Sequence, residues 1–148
     1  MDAYIVIGNP NTRKSSVIRS LTGCFNRSVR DIQRQDGLGP VRIYARAGAL
    51  QDTRTTADDF IAEAQRSRCA AVICCLLPSA HPNHPLEGPD AGSYLAAFKA
   101  AGWRIKSIAV LGQDGGGVRS SNLRQFTQAS TAPINTTAHQ VRSHFGWQ

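Results

Sequence analysis

Hydrophobic and polar positions along the chain fall into short apolar runs separated by amphipathic stretches. Runs rich in β-branched or aromatic residues, too short for helices, predict β-strands. The most apolar run, AAVICCLLP, predicts the central strand, whereas SVRDIQRQ is polar and predicts an edge strand. The predicted strands are 3–7, 28–35, 41–46, 70–78, 104–112 and a short one near Pro133 to Thr136.

Helices are predicted where apolar residues recur three or four positions apart and capping residues precede them. The first helix ends where Gly23 offers a left-handed stop. The predicted helices run from Lys14 to about Thr22, from the caps Thr55 and Thr56 through Phe60, Ile61 and Ala64, from the cap Asp90 through Phe98, from Ser120 to Ala129, and around Val141 and Phe145 at the C-terminus.

Strands that alternate with helices predict an α/β fold in a single domain, residues 1–148. We expect a mostly parallel sheet of about five or six strands with helices on both faces. Right-handed crossovers place ligands at the carboxyl ends of the strands of such a sheet. The loops that follow the strands are therefore the first place to look for a site.

The loop after the first strand has the sequence GNPNTRKSS, residues 8–16. It fits the phosphate-binding pattern G-x-x-x-x-G-K-[ST] except that Arg13 replaces a glycine. Backbone amides at a helix N-terminus bind an anion, Lys14 neutralises phosphate charge, and the Ser15 hydroxyl is the candidate ligand of Mg²⁺. The candidate phosphate-binding residues are Gly8, Asn11, Thr12, Arg13, Lys14, Ser15 and Ser16.

With the helix SSVIRSLTG that follows it, this loop resembles the translation-factor-related GTPases of the P-loop GTPase superfamily, whose bacterial members read G-x-P-N-x-G-K-S-S. The order of strands and helices is also similar over nearly the whole chain. The resemblance implies a three-layer P-loop NTPase-like fold and a GTP-like nucleotide bound with Mg²⁺. It further implies switch segments that respond to the γ-phosphate.

Further positions depart from that family's pattern. The family's D-x-x-G motif matches Ala45 to Gly48, so the glycine that senses the γ-phosphate is kept as Gly48 and the carboxylate is lost. Its [NT]-K-x-D motif matches Leu111 to Asp114, which leaves Asp114 alone as the candidate base-binding residue. Residues 24–40 contain no threonine for the first switch, only Ser28.

These departures predict a nucleotide- or phosphate-binding protein with impaired or absent hydrolysis, and no catalytic residue is assigned. If the chain is an enzyme, we expect a weak nucleoside triphosphatase. Arg13 leaves two alternatives open. Its side chain either points outward and adds an anion contact, or lies in the phosphate space and blocks the site.

The net charge of +7 is unevenly distributed. Residues 1–54 contain nine lysines and arginines against four aspartates, a net charge of +5, and the remainder has +2. Such a field attracts polyanions. The alternative prediction is therefore a non-enzymatic binding module that engages a protein or nucleic acid through its basic N-terminal half.

Other features of the sequence limit the remaining possibilities. The four cysteines lie in or beside apolar runs and indicate reduced core residues. His81 and His84 form an H-x-x-H pair, but the proline-rich loop around them favours a surface segment over a zinc site. The start MDAYIVIGNP lacks the features of a secretion signal, and no apolar run approaches the roughly 18 residues of a membrane helix, so we expect a cytoplasmic protein with no membrane contact.

Overall fold

The computed structural model describes residues 1–148, which form six strands and four helices. The elements alternate along the chain, apart from two places where one strand directly follows another. The strands are β1 (Asp2–Gly8), β2 (Arg27–Gln33), β3 (Pro40–Ala49), β4 (Ala71–Leu76), β5 (Arg104–Leu111) and β6 (Leu123–Phe126). The helices are α1 (Lys14–Thr22), α2 (Ala57–Ser67), α3 (Ala91–Ala100) and α4 (Ile134–Phe145).

All six strands belong to one mixed, mostly parallel sheet with the order β2-β3-β4-β1-β5-β6. Only β2 runs antiparallel, because it forms a hairpin with β3. The predicted α/β class and the number of strands are therefore confirmed. Because β1 lies between β4 and β5, the loop that follows β1 emerges near the middle of the carboxyl edge.

Two apolar cores cover the two faces of the sheet. Alternate residues of β1 divide between them, with Tyr4 and Val6 in one core and Ile5 and Ile7 in the other. The first core packs against α1 and α4, and the second against α2 and α3. This arrangement confirms helices on both faces, and it explains why β4, at the centre of the sheet, is apolar at every position.

Several local predictions are confirmed. The polar strand β2 lies at the edge of the sheet, and the apolar strand β4 lies beside β1 at its centre. Thr56 caps α2 in a capping box with Asp59, and the Asp90 side chain accepts from Ser93 N at the start of α3. Gly23 adopts a left-handed conformation after α1, as a stop signal should.

The predictions for the last third of the chain are wrong in two places. Residues 120–129 do not form a helix, because residues 123–126 instead pair with β5 as the edge strand β6. The strand near Pro133 to Thr136 is absent, because Pro133 is the N-cap of α4. Proline is tolerated at a helix start, where its missing N–H would have no partner in any case.

No helix combines the length and apolar composition needed to cross a lipid bilayer. The longest helix, α4, has 12 residues. All four cysteines are buried and unpaired, and Cys74 and Cys75 point into opposite cores. Burial raises the pKa of Cys75 to about 12, so its thiol is neutral at ordinary pH.

Candidate phosphate site

The loop between β1 and α1 has the backbone conformation of an anion-binding nest. Asn11 and Arg13 both have a φ of 68°, and Arg13 is the N-cap of α1. Left-handed residues that alternate with right-handed ones turn successive amides toward a common point. The left-handed residues Asn11 and Arg13 therefore bend the chain sharply between β1 and α1.

Gly8 is required for this loop to close. A Cβ atom at Gly8 would lie 2.3 Å from Thr12 Oγ1 and 3.1 Å from Leu111 O. The Thr12 hydroxyl itself donates to Asn9 O at 2.7 Å, which holds the turn together. Any side chain at position 8 would push the turn apart.

Most amides of the loop donate to no group of the protein. Among residues 11 to 16, only Thr12 N has an acceptor, Asn9 O at 3.3 Å. In α2 and α3, by contrast, a side chain caps the first turn. Four consecutive amides, those of residues 13–16, are thus left for an external acceptor at the positive end of the α1 dipole.

The ammonium group of Lys14 lies beside these amides. The residue is only 7% exposed, and Nζ donates to Asn9 O at 2.9 Å. It forms no ion pair, and burial lowers the pKa of Lys14 below its usual value. A buried cation without a carboxylate partner is costly, so its position favours an anionic ligand.

The Arg13 side chain points outward and does not lie in the phosphate space. Its guanidinium group donates from NH1 to Ala132 O at 3.0 Å, in the segment between β6 and α4. The side chain is exposed and leaves the interior of the loop. Arg13 therefore does not fill the place of a phosphate group, and it connects the loop to the segment between β6 and α4.

The end of β3 comes close to the first turn of α1. The Ser15 hydroxyl donates to Ala47 O at 2.7 Å, and Gly48 follows directly in the chain. Ala45, at the position of the family's carboxylate, is fully buried. Ser15 and Gly48 are thus brought together without the acidic group that would accompany them, and Ser16 adds no hydrogen bond from its side chain.

Asp114 lies in the exposed loop after β5. Its carboxylate accepts a hydrogen bond from Gly116 N at 2.9 Å. Gly112, two residues earlier, approaches the phosphate loop, since a Cβ atom there would lie 3.8 Å from Thr12 Cγ2. The loop after β5 therefore borders the phosphate loop, but no contact joins Asp114 itself to it.

Nothing in the sequence indicated that Asp52 and His81 lie close together. In the structure, Asp52 Oδ1 is 3.7 Å from His81 Nε2. Asp52 follows β3 and His81 follows β4, and neighbouring parallel strands bring the segments after them to one edge. The field of Asp52 reaches Lys14 and partly opposes the lowering of its pKa. The signal that could have revealed this pair is the adjacency of β3 and β4.

The histidine pair lies in the loop after β4 and does not form a metal centre. The rings of His81 and His84 stack with their centroids 3.7 Å apart, and His84 Nε2 is 2.8 Å from Gln51 O. No three histidine, cysteine, aspartate or glutamate side chains come together as metal ligands.

Comparisons of the chain with protein-family models, curated proteins and solved structures found no match.

Proposed function

We propose that the chain binds the phosphate groups of a nucleotide at residues 8–16 and hydrolyses that nucleotide slowly or not at all. The proposal includes the three-layer P-loop NTPase-like fold and the likeness to P-loop GTPases expected from the sequence. The observation that carries the proposal is the buried, unpaired ammonium of Lys14 beside four unpartnered amides.

Phosphate binding would follow from groups that are already in place. Lys14 Nζ donates to Asn9 O and has two further N–H groups to offer an anion. The amides of residues 13–16 point from the N-terminus of α1, where the helix dipole favours negative charge. Because the loop is already closed around Gly8, little ordering is needed when the ligand arrives.

The side chains in and beside the loop are poorly suited to bind Mg²⁺. Magnesium is usually held by one or two carboxylates together with substrate phosphates. Ser15 is the only candidate ligand in the loop, and positions 45–48 supply no carboxylate. We therefore derive no catalytic step through a metal, and we expect Mg²⁺ to change nucleotide affinity only slightly.

The residues around the loop also lead us to expect slow hydrolysis. Phosphoryl transfer is accelerated mainly by positioned charge around the γ-phosphate and the attacking water. Here Gly48 offers backbone contacts but Ala45 offers no acid. Binding without efficient turnover is the behaviour we expect of the isolated chain.

The test is calorimetric titration of the purified protein with GTP, GDP and ATP, with and without Mg²⁺. Lys14→Ala should lower nucleotide affinity by at least about tenfold, the loss expected for one charge-assisted hydrogen bond. Lys106→Ala removes the same charge from an exposed position of β5 and should leave affinity unchanged. Equal nucleotide affinity in both variants, with circular dichroism that shows folded protein, would contradict the proposal.

A second candidate is a binding module for nucleic acid or an acidic protein. The observation that favours it is the β2–β3 hairpin, where Arg27, Arg30 and Arg42 are all exposed at the edge of the sheet. Such binding would weaken steeply with salt because counterions are released. A salt-dependent RNA or DNA shift, without nucleotide binding, would favour this candidate over the first.

A further inference from the structure

A cavity of about 270 Å³ lies between α1, the start of β2 and the end of β3. Nothing in the loop pattern or the family resemblance pointed to it. No hydrophobic residue lines it, and its lining consists of Arg19, Asn26, Arg27, Arg46, Gly48 and Thr53. Three of these six residues are arginines, and none is acidic.

The guanidinium groups in this cavity have unused donors. The Arg27 side chain makes no hydrogen bond or ion pair within the protein, and the Arg19 side chain uses only Nε, which donates to Phe25 O at 2.8 Å. Arg19 is also held in place by stacking over the Phe25 ring, 4.5 Å from its centroid. A planar guanidinium has five N–H donors, so both side chains retain several for a ligand.

Arg46 forms the buried wall of the cavity. Its side chain is 8% exposed, and NH1 pairs with Glu63 Oε2 at 2.6 Å. NH2 donates to the hydroxyls of Thr53 and Thr55, both at 3.0 Å. Glu63 balances one of the three positive charges, so the cavity keeps an excess of about two.

Arg27 and Arg46 are directly opposite each other in the antiparallel pairing of β2 with β3. Like charges at such a pair destabilise a sheet, since the two Cβ atoms lie only about 4.5–5.5 Å apart. A bound anion between them would remove that cost. Glu63 neutralises Arg46 but no acidic group of the protein pairs with Arg27, so the pair keeps a positive charge that an anion would offset.

We propose that this cavity binds a phosphate group of a small molecule, as a site separate from the amides of the phosphate loop. Arginine is suited to this ligand because its fork of N–H groups matches phosphate oxygens. The volume is slightly below the 300–1,000 Å³ range of pockets for drug-sized ligands, which favours a phosphate or pyrophosphate group over a whole nucleotide.

The phosphate group has two possible sources, because the cavity adjoins the phosphate loop. Gly48 lines the cavity, and the preceding Ala47 accepts the hydrogen bond from Ser15. The ligand is therefore either the terminal phosphate of a nucleotide bound at the loop or a separate phosphorylated molecule. Both sources share the same chemistry at the arginines.

The experiment is calorimetric titration with sodium pyrophosphate and, in parallel, inorganic phosphate. It uses the full chain, both with Lys14 intact and in the Lys14→Ala background, where the loop contributes little. Arg27→Gln removes a cavity arginine, and Arg119→Gln removes an exposed arginine of the loop after β5. The two variants lower the net charge equally, so they separate local binding from the general field.

In the Lys14→Ala background we expect Arg27→Gln to weaken pyrophosphate binding by about tenfold or more, the loss of one charge-assisted hydrogen bond, and Arg119→Gln to have little effect. Without the anion, Arg27→Gln should unfold at an equal or higher urea concentration than the wild type, because repulsion with Arg46 is relieved. Equal pyrophosphate affinities for the two variants, or no binding to the folded wild type, would overturn the proposal.

Nucleotide titrations of the same proteins identify the source of the phosphate group. If Arg27→Gln weakens GTP binding more than GDP binding, the cavity receives the terminal phosphate of the nucleotide. If nucleotide does not compete with pyrophosphate, the ligand is a separate molecule. Failure of the phosphate loop alone would abolish nucleotide binding but leave pyrophosphate binding sensitive to Arg27→Gln, so the two proposals fail separately.

Discussion

The ammonium group of Lys14 is held away from water at the start of α1, with Asn9 O as its hydrogen-bond acceptor. Burial lowers the pKa of Lys14, and the fields of Cys75 and Asp52 only partly oppose this shift. The unfolded chain therefore binds more protons than the folded chain between the lowered pKa and 10.5. Over that interval the contribution of Lys14 to the free energy of unfolding increases with pH.

We predict that the affinity for nucleotide falls as pH rises through the lowered pKa of Lys14. A bound phosphate raises that pKa again, so binding in this range takes up a proton. Titration calorimetry in buffers of different ionisation enthalpy measures the uptake, at pH values well above the phosphate pKa of about 6.

The matched control for the pH experiment is Lys14→Arg, whose guanidinium stays charged throughout the range. Its nucleotide affinity should be nearly independent of pH. An equal slope in the wild type and in Lys14→Arg would show that another group is responsible for the proton uptake.

The residue just before helix α1 has an unfavourable backbone conformation. Arg13 has φ 68° and ψ 31°, and no side-chain hydrogen bond caps the helix. A left-handed conformation costs a non-glycine residue roughly 1–2 kcal/mol. The hydrogen bond from Arg13 to Ala132 O partly offsets this cost and couples the start of α1 to the segment before α4.

We predict that Arg13→Gly is more stable than Arg13→Ala by about 1 kcal/mol, because both lose the bond to Ala132 while only glycine escapes the left-handed strain. Urea denaturation at equilibrium measures this difference. Ser16→Gly against Ser16→Ala, inside the same helix, is the control and should give the opposite order. If alanine were the better residue at both positions, α1 would not begin as the structure has it.

The C-terminal residues of the chain form part of the first core, the one that packs against α1 and α4. The Trp147 ring packs against Tyr4 of β1 and Phe145 of α4, with centroids 4.9 and 5.1 Å away. Gln148 N donates to Gln33 O, and Gln35 N donates to Gly146 O, both at 2.9 Å. The last residues therefore connect β1, the edge strand β2 and α4.

We predict that Trp147→Ala lowers the free energy of unfolding by about 3–5 kcal/mol, the usual cost of truncating a buried aromatic side chain. Trp147→Phe should cost much less because it keeps a ring in the core. Urea denaturation with circular dichroism detection measures both. A loss below about 1 kcal/mol for Trp147→Ala would be typical of a surface position and would contradict this account of the core.

Much of the fold was predictable because it is encoded locally. β4 is a continuous apolar run, and Thr56 and Asp90 are capping residues whose effect spans only three positions. The same local logic failed in the last third of the chain. Leu123 and Phe126 have a spacing compatible with a helix, but the free edge of β5 offers them backbone hydrogen bonds as a strand.

The α/β class, the edge position of β2 and the glycine-led turn between β1 and α1 were predictable from the sequence, because each depends on residues close together in the chain. The three-dimensional fold was needed to show that Arg13 donates to Ala132, that Asp52 lies beside His81, and that Arg27 and Arg46 line one cavity. These pairs lie far apart in sequence, and the order and register of the strands bring them together. Periodicity does not specify that order, because it arises from the packing of the whole sheet between its two layers of helices.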